Sequence, residues 1–333
     1  MENEHTIMKY ALPVASTEKY DWIVENDATQ WWDSFFAPQG LYDHTAKGFP
    51  NLYHQIFQHL IKKYNINPEE HIILDPMAGI GTTLILANIN KFDCIGVELE
   101  EVYFKDMIGF VKEEVIDMFG VPTPVKQKVA GTVENYLQVT GRFEALFDVE
   151  VDHKMYITKF GRIIIHNNDS TNKYFYDNLE MQLSGFSKKI IVVTSPPYTR
   201  ISEHDQKQID AMPEDIRDGF RPAGYKNPYN IAMKQPYEYG VAMTKIYKNL
   251  YNLGVELVVL VTRDFILCGE VFKLGMRNKS CAEFPAPKFE LVEHIKAKIP
   301  IISFFKRINF EKHHKAKGLP MIDWEDVMIY TRK

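Results

Sequence analysis

The sequence predicts an α/β fold with a doubly wound, mostly parallel sheet, and three observations predict it. Five short β-branched runs recur along the chain, at His71–Asp75, Cys94–Glu98, Arg162–His166, Lys189–Thr194 and Glu256–Thr262. They are apolar almost throughout, which suits central parallel strands covered on both faces. Helical patterns lie between several of them, and strand–helix alternation with right-handed crossovers builds such a sheet. A glycine-bearing turn, Asp75-Pro-Met-Ala-Gly-Ile-Gly-Thr-Thr83, joins the first of these strands to a helix.

The helices follow from spacing. Asn51–Tyr64 places Leu52, Ile56, Leu60 and Ile61 on one face, bordered by Phe57, the stripe of an amphipathic helix. Thr82–Asn90 follows the first strand, and Tyr237–Leu253 precedes the Glu256 strand. Asp323–Thr331 reads as a last strand, paired with one near Phe289–Ile295. Two stretches interrupt the alternation, about 102–161 and 199–236, and long irregular segments in compact domains are usually functional loops or insertions.

Bulk properties narrow the class. The chain has 333 residues, 45% of them apolar and 25% charged, enough to bury a core without staples. Cys94, Cys268 and Cys281 form no close pair, so a disulfide framework is not expected and a reducing cytoplasm fits. The opening residues, MENEHTIMKY, lack the basic and apolar regions of a signal peptide. No apolar run approaches the roughly 20 residues that span a bilayer. His313, His314 and the cysteines show no zinc-ligand spacing, and no metal is expected. Net charge is −5, which disfavours a protein that coats nucleic acid over its whole surface. Arg277–Lys317 nevertheless holds ten Lys or Arg against four Glu, a local basic stretch that reads either as a nucleic-acid contact or as solvated surface.

Two motifs carry chemistry. In the Asp75–Thr83 turn, Gly79 and Gly81 let the backbone turn tightly and approach a ligand, and the next helix offers free N–H groups. The following strand ends in Glu98, where an acid in nucleotide-binding α/β folds accepts from ribose hydroxyls. The dinucleotide fingerprint needs a third glycine and a Walker loop needs a Lys. Both are absent here, so an adenosine-type cofactor without pyrophosphate fits better. The second motif is Thr194-Ser-Pro-Pro-Tyr198, at the end of the Lys189 strand. Pro196 and Pro197 cannot donate to a ladder, and they fix a rigid loop at the sheet edge where ligands bind. Ser195 and the proline carbonyls become preset acceptors, and Tyr198 a platform for a base. Acceptors that grip an exocyclic amine favour a tetrahedral nitrogen whose lone pair faces an electrophilic methyl.

Together these residues resemble the DNA amino-methyltransferases. Asp75–Thr83 looks like their cofactor loop, DPFxGSGTT, with Met77 and Ile80 in place of Phe and Ser. Thr194–Tyr198 looks like their catalytic motif, (Asn/Asp/Ser)-Pro-Pro-(Tyr/Phe), in the Thr-Ser form typical of the N4-cytosine branch. His44–Pro50, with Lys47, is similar to the motif that closes over the methionine end of the cofactor. The resemblance implies a seven-stranded Rossmann-like sheet and an S-adenosylmethionine cofactor. It implies cofactor contacts from Lys47, Asp75, Met77, Gly79, Gly81, Thr82, Glu98 and Asp169, the last to the adenine amino group. It implies catalysis by Ser195, Pro196, Pro197 and Tyr198 on a base flipped out of DNA. The motif order, cofactor half first, departs from many N4-cytosine enzymes. N6-adenine in DNA, an amine in RNA, and an inactive fold that only binds are the competing readings. DNA contacts are expected from Arg200, Arg217 and Arg221 in the 199–236 loop, and from Lys306 and Arg307. Residues 1–40, with Trp31, Trp32, Phe35 and Phe36, read as a strap on a catalytic domain spanning 41–333, whose candidate target-recognition segment is about 277–317. A restriction endonuclease partner and the oligomeric state stay open.

Overall fold

The computed structural model describes residues 20–24, 49–101, 103–104, 153–157, 161–184, 187–197, 229–231, 234, 236–267, 270–283, 289–299, 318 and 322–333. In chain order the elements are β1 (Trp22–Ile23), α1 (Pro50–Tyr64), β2 (His71–Asp75), α2 (Thr82–Ile89), β3 (Asp93–Glu98), β4 (His153–Ile157) and β5 (Arg162–Asn167). Then follow α3 (Lys173–Leu183), β6 (Lys189–Thr194), α4 (Pro236–Asn252), β7 (Leu257–Thr262), β8 (Phe265–Leu267), β9 (Glu270–Phe272), α5 (Leu274–Glu283), β10 (Phe289–Lys298) and β11 (Trp324–Arg332).

The main sheet runs β1-β10-β11-β7-β6-β2-β3-β5-β4. β2, β3, β5, β6 and β7 are mutually parallel where they meet. Every residue of β2, β3 and β7 is buried, which is why their sequences read as unbroken apolar runs. β11 is antiparallel to β7 and to β10, the reversed hairpin expected at the end of the chain. The sequence led to seven strands, and among the described residues the sheet has nine. β4, from the 102–161 insertion, extends one edge against β5, and β1 extends the other against β10. Two- and five-residue edge pieces of mixed polarity leave little periodic signal.

Two cores flank the sheet. α1 and α2 cover one face, where Leu52, Ile56, Phe57 and Leu60 of α1 meet Ile73, Ile191 and Val259. Gly96 of β3 permits this approach, because a Cβ there would collide with Leu84 of α2. α3, α4 and α5 cover the other face, with Phe175, Leu179, Tyr239, Met243 and Leu274 packed on Leu74, Val192 and Leu260.

The winding places the site. From β2 the chain moves outward through β3 and β5, and from β6 it moves the other way through β7. The direction reverses between β2 and β6, and open α/β sheets bind ligands in the crevice beyond the carboxyl ends of the strands at such a point.

Candidate active site

β2 delivers Asp75 to this crevice. The side chain is 2% exposed, and its Oδ1 accepts from the Met77 N–H at 3.0 Å and from the Thr194 hydroxyl at 2.6 Å. Burial pushes its carboxyl up to about 6, against the pull of the Thr194 and Thr83 side chains and the Met77 N–H. The chain then turns through Gly79 (φ 55°) and Gly81 (φ 87°). Both lie in the left-handed region that a Cβ disfavours. Gly81 forms the N-terminal boundary of α2, and Ala78 N–H is tied to Val97 O at 2.9 Å.

β3 delivers Glu98, whose two oxygens are both engaged by backbone. Oε2 accepts from Gly79 N–H at 2.9 Å and Oε1 from Glu100 N–H at 2.7 Å. The acid expected to meet a ribose therefore also holds the glycine turn in place. Burial raises its carboxyl to about 8; the two N–H groups oppose this, while the charges of Glu100 and Asp75 reinforce it.

The loop after β5 supplies Asn168 to Thr171. Asp169 accepts from its own turn, Oδ1 from Thr171 N–H at 2.7 Å and Oδ2 from the Thr171 hydroxyl at 2.9 Å. The Ser170 hydroxyl donates to Pro76 O, and Asn167 Nδ2 donates to Glu98 O at 2.8 Å. The loops after β2, β3 and β5 are thus fastened to one another. Asn172 caps α3 by accepting from Tyr174 N–H, which holds the loop from the helix side.

A pocket opens among these loops. Asp75, Met77, Gly79, Thr82, Glu98, Asp169, Ser195 and Pro197, all expected from the sequence, line it together. Pro196 is buried. Thr82 carries a buried hydroxyl with no hydrogen-bond partner among the described residues. Lys47, Tyr198, Arg200, Arg217, Arg221, Lys306 and Arg307 lie outside the described residues, as do Trp31, Trp32, Phe35 and Phe36.

The pocket also takes residues that sequence reasoning missed. Tyr53 of α1 contributes to the lining, as do Tyr229, Asn230 and Ile231 ahead of α4. Asn230 Nδ2 donates to the buried Glu100 Oε1 at 2.9 Å, so the segment entering α4 is anchored to the loop after β3. Nothing in the local sequence announces this pair, because its partners are 130 residues apart.

The described part of the basic stretch is divided between elements. Arg277 and Lys279 belong to α5, and Lys296 and Lys298 to β10. Lys296 Nζ sits 3.7 Å from the Trp324 ring centroid and Lys298 Nζ 5.6 Å from that of Tyr20, cation–π contacts that occupy both lysines of β10. Among the described residues no group of His, Cys, Asp and Glu could hold a metal ion, and no helix is long and apolar enough to cross a membrane.

No protein-family model matches the chain, and no curated protein matches it. Solved structures do overlay on it at low identity. An rRNA methyltransferase, AviRa, of Streptomyces viridochromogenes is 14% identical over 92% of this chain and 94% of its own, with a TM-score of 0.38. A TehB-like SAM-dependent methyltransferase of Corynebacterium glutamicum is 12% identical over 91% and 95%, with a TM-score of 0.33. A SAM-dependent methyltransferase of Archaeoglobus fulgidus is 11% identical over 92% and 100%, with a TM-score of 0.35.

Proposed function

We propose that the chain is an S-adenosylmethionine-dependent DNA methyltransferase that methylates the exocyclic N4 of cytosine, by direct transfer to a flipped base. The observation that carries this reading is that the glycine turn and the Ser-Pro-Pro loop open into one pocket, locked together by the Thr194–Asp75 hydrogen bond.

The residues fit the cofactor. Gly79 has the backbone freedom that a close approach needs. The unpartnered Thr82 hydroxyl is a buried polar group waiting for a ligand. Each Glu98 oxygen has given one lone pair to backbone and keeps one further position, a lone pair or the acid proton, for a ribose hydroxyl. Glu98 and Asp169 would hold the adenosine part, with Asp75 organising the turn, and Lys47 would close over the methionine end. The cofactor supplies an electrophilic methyl group.

The rest is done by the chain. Ser195 and the carbonyls beside it would accept the hydrogens of the target amine, drawing its lone pair out of the ring and toward the methyl, and the proton that the alkylated nitrogen sheds would leave through these acceptors to water. Pro196 and Pro197 keep these acceptors fixed, so little reorganisation is needed as charge develops on the nitrogen. Tyr198 stacks on the base. No enzyme nucleophile is required, and the buried thiols of Cys94 and Cys281 take no part.

The test is expression in a host that lacks base methylation, followed by digestion of its DNA to nucleosides and mass spectrometry. N4-methyldeoxycytidine is expected. N6-methyldeoxyadenosine would retain the mechanism and change the base. Unmodified DNA, from protein shown to bind S-adenosylmethionine, would overturn the DNA reading in favour of an RNA amine or of binding without turnover.

A further inference from the structure

Large apolar side chains exposed to solvent are concentrated at the edge of the sheet that bears the pocket. Seven such residues occur among the described residues. Tyr174 (77% exposed) lies in the first turn of α3, Tyr237 (76%) and Val241 in the first turns of α4, and Met276 in the first turn of α5. Tyr229 (66%) stands at the lip of the pocket itself. α3 starts directly beyond β5, and the turn of α5 at Gly275 packs against Thr262, the last residue of β7. The helix starts therefore share the carboxyl edge of the sheet. Only Met181 and Val292 lie elsewhere, at the end of α3 and in β10.

Cations accompany the tyrosines on a chain whose net charge is −5. Lys234 lies between Tyr229 and Tyr237, Lys273 is exposed just ahead of α5, and the Arg277 guanidinium reaches Gly240 of α4. Glu238 is the exposed acid among them.

Resting on the methyltransferase reading, we infer that Tyr229 and Tyr237, with Tyr174, form a stacking rim for unpaired nucleotides of the strand that carries the target base. A base drawn into the pocket leaves its neighbours without a stacking partner, at a cost of a few kcal/mol. Flat, exposed rings beside cations offset that cost, because any base can stack on an aromatic face whatever its sequence. The rim selects for strand opening around the target, and the pocket selects the amine.

The test is fluorescence anisotropy with a fluorescein-labelled, mixed-sequence oligodeoxynucleotide, single-stranded or annealed to its complement. The wild-type chain is expected to bind the single strand more tightly than the duplex. Tyr229→Ala with Tyr237→Ala should weaken single-strand binding by at least about tenfold, Tyr→Phe at both positions should restore it, and Met181→Ala should leave it unchanged. Unchanged affinity in the alanine pair, or equal loss in the phenylalanine pair, would overturn the rim. So would a dimer that the alanine pair dissociates while oligonucleotide affinity holds, since the patch would then bind a second copy. Titration with S-adenosylmethionine separates the two ideas. Cofactor binding without oligonucleotide binding overturns the rim and leaves the cofactor site standing. Tyrosine-dependent oligonucleotide binding in a chain that neither binds the cofactor nor methylates DNA leaves the rim standing and overturns the methyltransferase reading.

Discussion

The Thr194 hydroxyl donates to Asp75 Oδ1 at 2.6 Å, joining the last residue of β6 to the last residue of β2. This bond spans the point where the sheet reverses its winding, and it couples the turn that would hold a cofactor to the loop that would hold a base. Thr194→Val keeps the β-branched shape of the strand and deletes only the donor. Asp75 is buried, so its oxygen cannot turn to water instead. Loss of such a bond costs roughly 1–3 kcal/mol. Urea denaturation should show that loss, and calorimetry should show weakened S-adenosylmethionine binding. Unchanged values in both would mean that the two loops are held in place by other contacts.

A second prediction concerns pH. Glu98 titrates at about 8 in the native chain, above its ordinary value, chiefly because it is buried. Asp75 titrates at about 6 for the same leading reason. A raised acid binds its proton in the native state after the unfolded chain has released it, so stability falls as pH rises through that interval. Asp75 has made most of its contribution by about pH 6, so the largest share of the interval from 6 to 8 belongs to Glu98. His294, raised by its hydrogen bond to Asp326, adds to the fall, and His54, lowered by burial, opposes it. Asp93 acts in the opposite sense. Burial opposes its ionisation, but the hydrogen bonds of Arg162 and Lys188 outweigh burial and hold it at about 2, so its contribution is lost only in acid. Without cofactor, the wild-type chain should lose roughly 2 kcal/mol between pH 6 and pH 8, and Glu98→Gln should remove most of that slope. A flat wild-type curve in urea melts at the two pH values would contradict the burial of this carboxyl.

Much of this architecture was legible because burial on both faces writes itself into sequence. β2, β3, β5, β6 and β7 are central strands, and their apolar runs matched the observed bounds within a residue or two. α1 was legible from its stripe, and the closing hairpin of β10 and β11 from β-branched residues near the end of the chain. α3 was missed, although Asn172 as a cap and Phe175, Tyr176, Leu179 and Leu183 as a buried face are a readable signal. The β8–β9 hairpin and α5 were missed because the stretch was weighed by its charge rather than its period. At the pocket, Asp75, Glu98 and Ser195 were accessible because each stands at or just beyond a strand end with unusual local chemistry, and Gly79 because it lies in the glycine turn after β2. Tyr53 and Asn230 were not, because only the fold brings them to the pocket.

The turn itself yields a third prediction. Gly79 has φ 55° and its N–H is held by Glu98. A β-branched residue there meets the strain of the left-handed region, roughly 1–2 kcal/mol, and places methyl groups at the pocket wall. Gly79→Val should fold with reduced stability and lose measurable S-adenosylmethionine binding in calorimetry. Binding that survives the substitution would move the cofactor away from this turn.

Ser195 separates binding from chemistry. It stands one residue beyond the Thr194–Asp75 bond and lines the pocket with Pro197, yet none of the described hydrogen bonds that build the cofactor loops involves its side chain. Removing its hydroxyl should therefore leave the turn, Glu98 and the Asp169 loop intact. If it grips the target amine, the loss falls on the transition state, where removing one preorganised hydrogen-bonding group costs on the order of 100- to 1000-fold in kcat. Ser195→Ala should retain wild-type cofactor affinity by calorimetry and accumulate at least about 100-fold less methylated nucleoside in the expression host. Tyr198→Ala should give the same division, through lost stacking. A Ser195→Ala chain that binds cofactor poorly would place this loop in the cofactor site, and one that methylates normally would leave the amine to the backbone carbonyls alone.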